Sequence, residues 1–319
     1  IDSHVLMNLQ DPSLLQLIWR WSDEFRLIAP RKQDQEYDAG HRDGRFYLRI
    51  NDTGRNFRLI SVPVDNPDPA NGEEIIPHRE EVMLEDVELF AGHYAILERK
   101  QGIPGIRIIE FDCGSVHNVS FPEPVFEAYP TVNMQWDTRG LRYGYQSLIT
   151  PSSVFEFDLN TDASTLLKQT EVLGGFDQSQ YKSERRFVTA QDGTQVPVSI
   201  VCRKGTRCDG SAPLLLTGYG SYGWAYPVTF NSTRLSLIDR GVTFAVAHIR
   251  GGGEMGKTWH DQGVTGPEEN LQGRVFPDGP GPGRDGRHRS DQGYATGSAA
   301  CSFNRCPDAH YGSVDFGDS

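Results

Sequence analysis

A chain of 319 residues can form one large domain or two ordinary ones, and its formal net charge of −12 argues against nucleic acid and anionic membranes as partners. It holds no run of about 18 apolar residues, so no membrane-spanning helix is expected. Five cysteines without a CxxC pair indicate neither a disulfide framework nor a zinc site, and favour reduced thiols in a cytoplasmic protein. The first residues, Ile1-Asp2-Ser3-His4, suggest a fragment.

Residues 1–178 have the pattern of an all-β region. Aromatic or β-branched residues alternate with polar ones, which is the period of two expected of strands. The clearest runs are Gly44–Ile50, Phe57–Val62, His93–Glu98, Ile106–Phe111 and Ser153–Asp158. A sandwich, a barrel or a propeller would each produce this pattern, so the residues alone leave the choice open.

Residues 179–263 have an α/β pattern instead. Asp192-Gly193 is a hairpin signal between two strand-like runs. Two continuous apolar runs that end near glycines predict buried parallel strands, with a helix between them. The predicted elements are strands at Phe187–Ala190, Val196–Val201, Pro213–Thr217 and Val242–Ala247, and a helix at Asn231–Asp239.

Residues 264–319 differ again, since they are rich in Gly and Pro and contain a single Leu and no Ile. Such a segment has little apolar surface to offset the entropy lost on ordering. We expect this tail to be disordered, or to be an aberrant sequence such as one read in a shifted frame.

Several motifs follow one another along residues 1–263. Those in residues 179–263 are Leu214–Gly223, Asp239–Gly241, Ala247–Gly256 and Trp259. Those in residues 1–178 are Asn56–Leu59, Pro77–Arg79, Arg142–Tyr145, Thr150–Val154 and Glu171–Asp177. Together they resemble the prolyl oligopeptidase family of serine peptidases, and its oligopeptidase B members most. The resemblance implies a partial β-propeller, the later blades of seven, in residues 1–178. It implies the N-terminal part of an α/β-hydrolase domain in residues 179–263.

The resemblance also implies roles for two tyrosines. Tyr219, after a buried strand, matches the tyrosine whose hydroxyl forms part of the oxyanion hole, and Tyr222 matches an aromatic residue near the substrate pocket. Without the resemblance, both would be interpreted as ordinary loop aromatics. His248 also lies at a strand end, but the triad order of this fold is Ser, Asp, His, so a structural role is expected. No HExxH motif occurs, and no metal or cofactor is expected.

The nucleophile motif G-x-S-x-G is absent from the sequence. The nearest candidate is Ser298 in Gly297-Ser298-Ala299-Ala300, which lacks the second glycine and a preceding apolar strand. Two functions remain open: a serine-type endopeptidase, present as a truncated chain, that hydrolyses short peptides after Arg or Lys, or an inactive propeller and hydrolase fragment with a binding or vestigial role.

Overall fold

The computed structural model describes residues 28–30, 32–190, 192–207, 212–264 and 292–297. They form two compact units, and the chain passes between the units more than once. The first unit extends to Ser120 and includes Ala128–Gly144 and Val154–Leu167, whereas the second comprises Phe121–Glu127, Tyr145–Ser153 and the described residues from Lys168 onward.

Two sheets of the first unit are built from strands that pair with their neighbours in sequence. One contains β1 (Tyr37–Arg42), β2 (Arg45–Ile50), β3 (Arg58–Pro63) and β4 (Glu73–Ile76), and the other β5 (Val82–Leu89), β6 (His93–Lys100), β7 (Ile103–Glu110) and β8 (Val116–Asn118). Asp43 and Gly44 close the β1–β2 hairpin with φ values of 48° and 71°. A type I′ turn needs positive φ at both central residues, so this dipeptide suits the two-residue connection.

A third sheet has its residues divided between the two units. Its strands are β9 (Phe126–Pro130), β10 (Gly140–Ser147), β11 (Ser153–Asp158) and β12 (Ala163–Gln169), in the spatial order β12-β11-β10-β9. Each of the three sheets has four strands. The strands predicted from the alternating runs are therefore present.

Apolar side chains are buried on both faces of the sheets in the first unit. Leu59 and Ile60 are adjacent in β3 and fully buried, yet they belong to different clusters. Successive side chains of a strand point to opposite faces, so β3 has a core on each side. One cluster includes Leu48 and Ile50 of β2, and the other includes Leu84 and Ile96. Burial on both faces is what stacked blades of a propeller require.

The second unit is organised around a five-stranded sheet with the order β13-β14-β16-β15-β17. Its strands are β13 (Tyr181–Thr189), β14 (Gln195–Arg203), β15 (Leu214–Tyr219), β16 (Thr243–Ala247) and β17 (Gln292–Gly297). β15 and β16 are parallel, whereas β14 pairs antiparallel with both β13 and β16. Two helices accompany them, α1 (Ser232–Ile238) between β15 and β16 and α2 (Lys257–Val264) after β16.

Helix α1 lies where the sequence predicts it, with both predicted end residues as caps. The Asn231 side chain accepts hydrogen bonds from the N–H groups of Thr233 and Arg234, which would otherwise lack partners in the first turn. So short a helix has little stability of its own. Leu235 and Ile238 are buried in one cluster with Phe244 of β16, and this packing stabilises it.

Strand β17 lies within the tail and covers six of its residues. It pairs antiparallel with β15, with Gln292 opposite Tyr219 and Gly297 opposite Leu214. The edge of β15 offers unpaired N–H and C=O groups, and backbone pairing does not require apolar side chains. Apart from Val264 and β17, the tail lies outside the described residues.

Candidate active site

Tyr219 is the last residue of β15 and is half-buried. Gly218, which precedes it, pairs with Ala247, the last residue of the parallel strand β16. Two loops therefore leave the carboxyl ends of adjacent parallel strands, loop A (residues 220–226) and loop B (residues 248–254). In α/β sheets these ends are where ligand sites form.

Two rings of loop A surround the ring of Tyr219. Trp224 meets it edge-on, with ring centroids 5.5 Å apart and an interplanar angle of 82°, and Tyr226 lies with its centroid at 6.1 Å. Trp224 and Tyr226 also contact each other at 5.9 Å. Aromatic pairs in such geometries each add about 0.5–1.5 kcal/mol beyond the area they bury. The orientation of the Tyr219 phenol therefore depends on how loop A is held.

Loops A and B are docked backbone against backbone. The N–H of Gly223 donates to the carbonyl oxygen of Gly251 at 2.9 Å. A Cβ on Gly251 would overlap the carbonyl of Gly220, and a Cβ on Gly253 would overlap that of Gly223. Only glycine permits this approach. The glycine run of loop B thus allows loop A to dock closely against it.

Tyr222, the predicted substrate-pocket residue, is 82% exposed at the tip of loop A. Its φ of 60° is uncommon for a residue with a side chain, and such conformations persist where the surroundings determine them. Trp224 is 52% exposed in the same loop. Loop A thus displays two aromatic surfaces to solvent close in sequence to Tyr219. The pocket role of Tyr222 stays a prediction.

A buried series of hydrogen-bonded side chains joins β14 to loop B. Ser199 Oγ is 2.7 Å from His248 Nε2, and His248 Nδ1 is 3.2 Å from Glu254 Oε1. None of these residues is more than 2% exposed. The order serine, imidazole, carboxylate is that of a catalytic triad, but a substrate cannot reach a fully buried hydroxyl. His248 is therefore structural here, in agreement with the sequence analysis.

Loop B is also tied to the β13–β14 hairpin. Arg250 Nη2 lies 2.6 Å from Asp192 Oδ2, and the guanidinium lowers the pKa of that carboxyl well below its usual range. Asp192 is the hairpin residue identified in the sequence.

The oxyanion candidate is not accompanied by a nucleophile among the described residues. Ser298, the nearest candidate, lies outside them. The last described residue before it, Gly297, pairs with Leu214, at the opposite end of β15 from Tyr219. No triad can be assembled from the described part of the chain.

The described residues contain no group of three or more His, Cys, Asp or Glu side chains arranged to hold a metal ion. None of their helices combines the length and apolar character needed to cross a membrane.

Sequence reasoning missed four residues of the site: Trp224, Tyr226, Ser199 and Glu254. Trp224 and Tyr226 follow Tyr219 within a few residues, so the cluster of aromatic residues was a signal available in the sequence. Ser199 gave none, because it is 49 residues from its partner His248.

Comparison with known proteins identifies the family. The family model described as prolyl oligopeptidase, N-terminal beta-propeller domain, matches residues 6–170. The chain belongs to the prolyl oligopeptidase family. A second model, described as prolyl oligopeptidase family, matches residues 228–274, which include α1, β16 and loop B. The predicted combination of propeller blades and the start of a hydrolase domain is confirmed.

Relatives place the chain within that family. Dipeptidyl aminopeptidase BI of Pseudoxanthomonas mexicana is 39% identical over 241 residues, which cover 75% of this chain and 33% of that protein. The solved structure of oligopeptidase B from Leishmania major is 31% identical with a TM-score of 0.69, covering 74% of this chain and 34% of that one. Oligopeptidase B from Trypanosoma brucei, solved with covalently bound antipain, is 30% identical with a TM-score of 0.70, covering 76% and 36%. The chain spans about a third of the length of these relatives.

Proposed function

We propose that this chain is part of a serine-type endopeptidase of the oligopeptidase B kind that hydrolyses short peptides after Arg or Lys. The observation that carries the proposal is the position of Tyr219, a half-buried phenol at the carboxyl end of a parallel strand, held by two rings of loop A. Two solved relatives of about 30% identity bear the name oligopeptidase B.

In this proposal Tyr219 donates its hydroxyl hydrogen bond to the carbonyl oxygen of the scissile peptide. Charge develops on that oxygen when a nucleophile attacks the carbonyl carbon, so the bond strengthens in the transition state. A donor of this kind contributes about 3 kcal/mol to transition-state stabilisation. Tyr222 contacts the substrate beside it. The nucleophile, its base and the orienting carboxylate come from sequence that is not recognisable in this chain.

The alternative is an inactive partial propeller and hydrolase with a binding or vestigial role. Two observations favour it. The sequence has no G-x-S-x-G. The edge of β15 that faces away from β16 is occupied by β17, so no other strand of a larger sheet can pair there while β17 does.

The proposal includes a domain organisation and a location. Residues 1–178 would be the C-terminal propeller blades, residues 179–263 the start of the peptidase domain, and residues 264–319 the tail. A cytoplasmic location is supported by the cysteine pattern, and Cys113 is an exposed thiol outside any disulfide.

The test is hydrolysis of a fluorogenic peptide with Arg before the reporter, compared with the same peptide carrying citrulline, which is similar in size but neutral. Any turnover should prefer Arg, and Tyr219→Phe should lower its kcat by roughly 100-fold, because only the phenol hydroxyl is lost. Tyr143→Phe, which removes a phenol hydroxyl from the first unit, is the matched control and should retain full activity.

Each outcome separates the two functions. Turnover that is undiminished in Tyr219→Phe would come from a source other than this site and would remove support for the proposal. Equal rates on Arg and citrulline would retain a peptidase but reject recognition of a basic side chain. No turnover by the purified chain would leave the binding or vestigial role.

A further inference from the structure

Glu254 connects the sheet to the loop that holds Tyr219. Its Oε1 accepts a hydrogen bond from the backbone N–H of Tyr226 at 2.9 Å and lies 3.2 Å from His248 Nδ1. Tyr226 is in loop A, and His248 directly follows β16. One carboxylate oxygen thus joins the end of a central strand to a residue whose ring contacts Tyr219.

The other end of this connection is rigid. His248 is hydrogen-bonded through Nε2 to Ser199 in the middle of β14, and Ser199 is completely buried. β14 pairs with β16 directly at this level, with Ser199 opposite Val246. The His248 imidazole is therefore held by two neighbouring strands, β14 and β16, and it gives Glu254 a hydrogen-bond partner in a fixed position.

Gly252 lies against the second oxygen of the Glu254 side chain. Within the described residues its Oε2 has no hydrogen-bond partner, and a Cβ on Gly252 would overlap that atom. Glu254 is about 1% exposed, and burying a polar group costs free energy unless its hydrogen bonds are retained. The glycine of loop B provides the space that the carboxylate occupies.

We propose that Glu254 is the positioning residue for Tyr219, acting through the backbone of Tyr226, with His248 and Ser199 as its fixed support. The oxyanion role of Tyr219 rests on the proposed function, whereas the positioning of its ring does not. Glu254 touches no substrate in this proposal, so its effect on hydrolysis is on kcat through the orientation of the phenol.

The spectroscopic test uses the rings themselves. The difference in near-ultraviolet circular dichroism between the wild-type chain and Trp224→Phe defines the contribution of the Trp224 cluster. We expect Glu254→Ala to lose at least half of that contribution while the far-ultraviolet spectrum is unchanged. Glu254→Gln should retain it, since an amide oxygen can still accept from the Tyr226 N–H.

Two further variants distinguish a local effect on loop A from a general loss of folding. Gly252→Ala displaces the same carboxyl oxygen, and its Cβ also lies 3.2 Å from the carbonyl oxygen of Trp224, so it should cause at least the same spectral loss. Tyr181→Phe removes a hydrogen bond to Asp239, 2.7 Å long, from another part of the second unit, and should retain the full contribution. The proposal is rejected if Glu254→Ala and Gly252→Ala both retain the contribution, or if Tyr181→Phe loses as much.

Hydrolysis by the same variants separates this proposal from the proposed function. If the wild-type chain cleaves the Arg peptide, Glu254→Ala should lower kcat about 10-fold with KM within twofold of wild type, and Glu254→Gln should restore most of it. A rise in KM with unchanged kcat would reject the positioning role. If no variant cleaves peptide but the spectra follow the expected pattern, positioning stands and the proposed function fails.

Discussion

Two sets of paired polar side chains, one in each unit, differ in how deeply they are buried. In the first, ion pairs join neighbouring strands at the surface, as Arg49 does with Asp38, which is directly opposite in the adjacent strand and 56% exposed. In the second, Ser199 of β14 and His248 and Glu254 of loop B form a buried hydrogen-bonded series. An exposed pair contributes about 0–1 kcal/mol, whereas removing one partner of a buried pair costs several.

The difference shows how each unit tolerates change. Every strand in the first two sheets pairs with its neighbour in sequence, so a lost surface contact leaves the local hairpins in place. The candidate site depends on contacts between residues far apart in sequence, such as Tyr226 with Glu254 and Ser199 with His248. A small change should therefore have a large effect in the second unit and a small one in the first.

The largest expected effect comes from Gly251→Ala. A Cβ there meets the backbone of Gly220, which cannot rotate away, and the φ of 98° is itself unfavourable for alanine. We expect a loss of about 4 kcal/mol in the free energy of unfolding, measured by urea with the fluorescence of the buried Trp259 as reporter.

Gly44→Ala is the matched control for this effect in the first unit. Gly44 also has positive φ, 71°, but nothing lies within 4 Å of its added Cβ. Only the conformational cost remains, about 1 kcal/mol. Equal losses in the two variants would show that the docking of loop A on loop B does not set the stability of the second unit.

A smaller effect, confined to the first unit, should follow from Glu88→Gln. Burial raises the pKa of Glu88 to about 7, although its carboxylate accepts a hydrogen bond from Asn133 at 3.1 Å. The folded-state pKa lies above the unfolded value of about 4.3, so ionisation destabilises the fold as pH rises from there to about 7. Between pH 4.5 and pH 8 the free energy of unfolding of the wild type should fall by on the order of 2 kcal/mol relative to that of the glutamine variant.

Urea unfolding at both pH values measures this difference, and Glu81→Gln, at an exposed carboxylate, is the control. A Glu88→Gln variant whose advantage over wild type is the same at pH 4.5 and pH 8 would contradict the assignment to a buried carboxyl.

The smallest effect is expected at His117, where an exposed surface pair should matter little. The hydrogen bond with Asp162, 2.5 Å long, and a second one with Glu110 at 3.0 Å raise the pKa of His117. Because the folded-state pKa is raised, the protonated imidazole stabilises the folded protein fully at pH values below its unfolded pKa of about 6.5. This stabilisation is lost as pH rises through the folded-state pKa. His117→Gln should therefore cost under about 1 kcal/mol at pH 5.5 and nothing at pH 9.

Salt provides the control for this last prediction, because 0.5 M NaCl should reduce the cost at pH 5.5 by screening. A cost that grows with pH would show that neutral packing of the imidazole, rather than its charge, is what matters.

Local patterns in the sequence were sufficient for much of the fold. The alternating runs predicted strands that the structure contains as β2, β3, β6, β7 and β11. Asn231 and Asp239, the predicted ends of the helix, are its caps, and Asp192-Gly193 lies in the predicted hairpin. These features depend on residues within a few positions of one another, and such dependence is visible in a single sequence.

The sequence by itself determined the strands that carry an alternating or continuous apolar run, helix α1, the family and the location of Tyr219 at a strand end. Only the tertiary structure decided that β16 lies between β14 and β15, that loop A is seated on the glycines of loop B, and that Glu254 joins His248 to Tyr226. The physical reason is distance along the chain. Periodicity reports which face of an element is apolar, but it carries no information on which buried polar group, tens of residues away, will satisfy another.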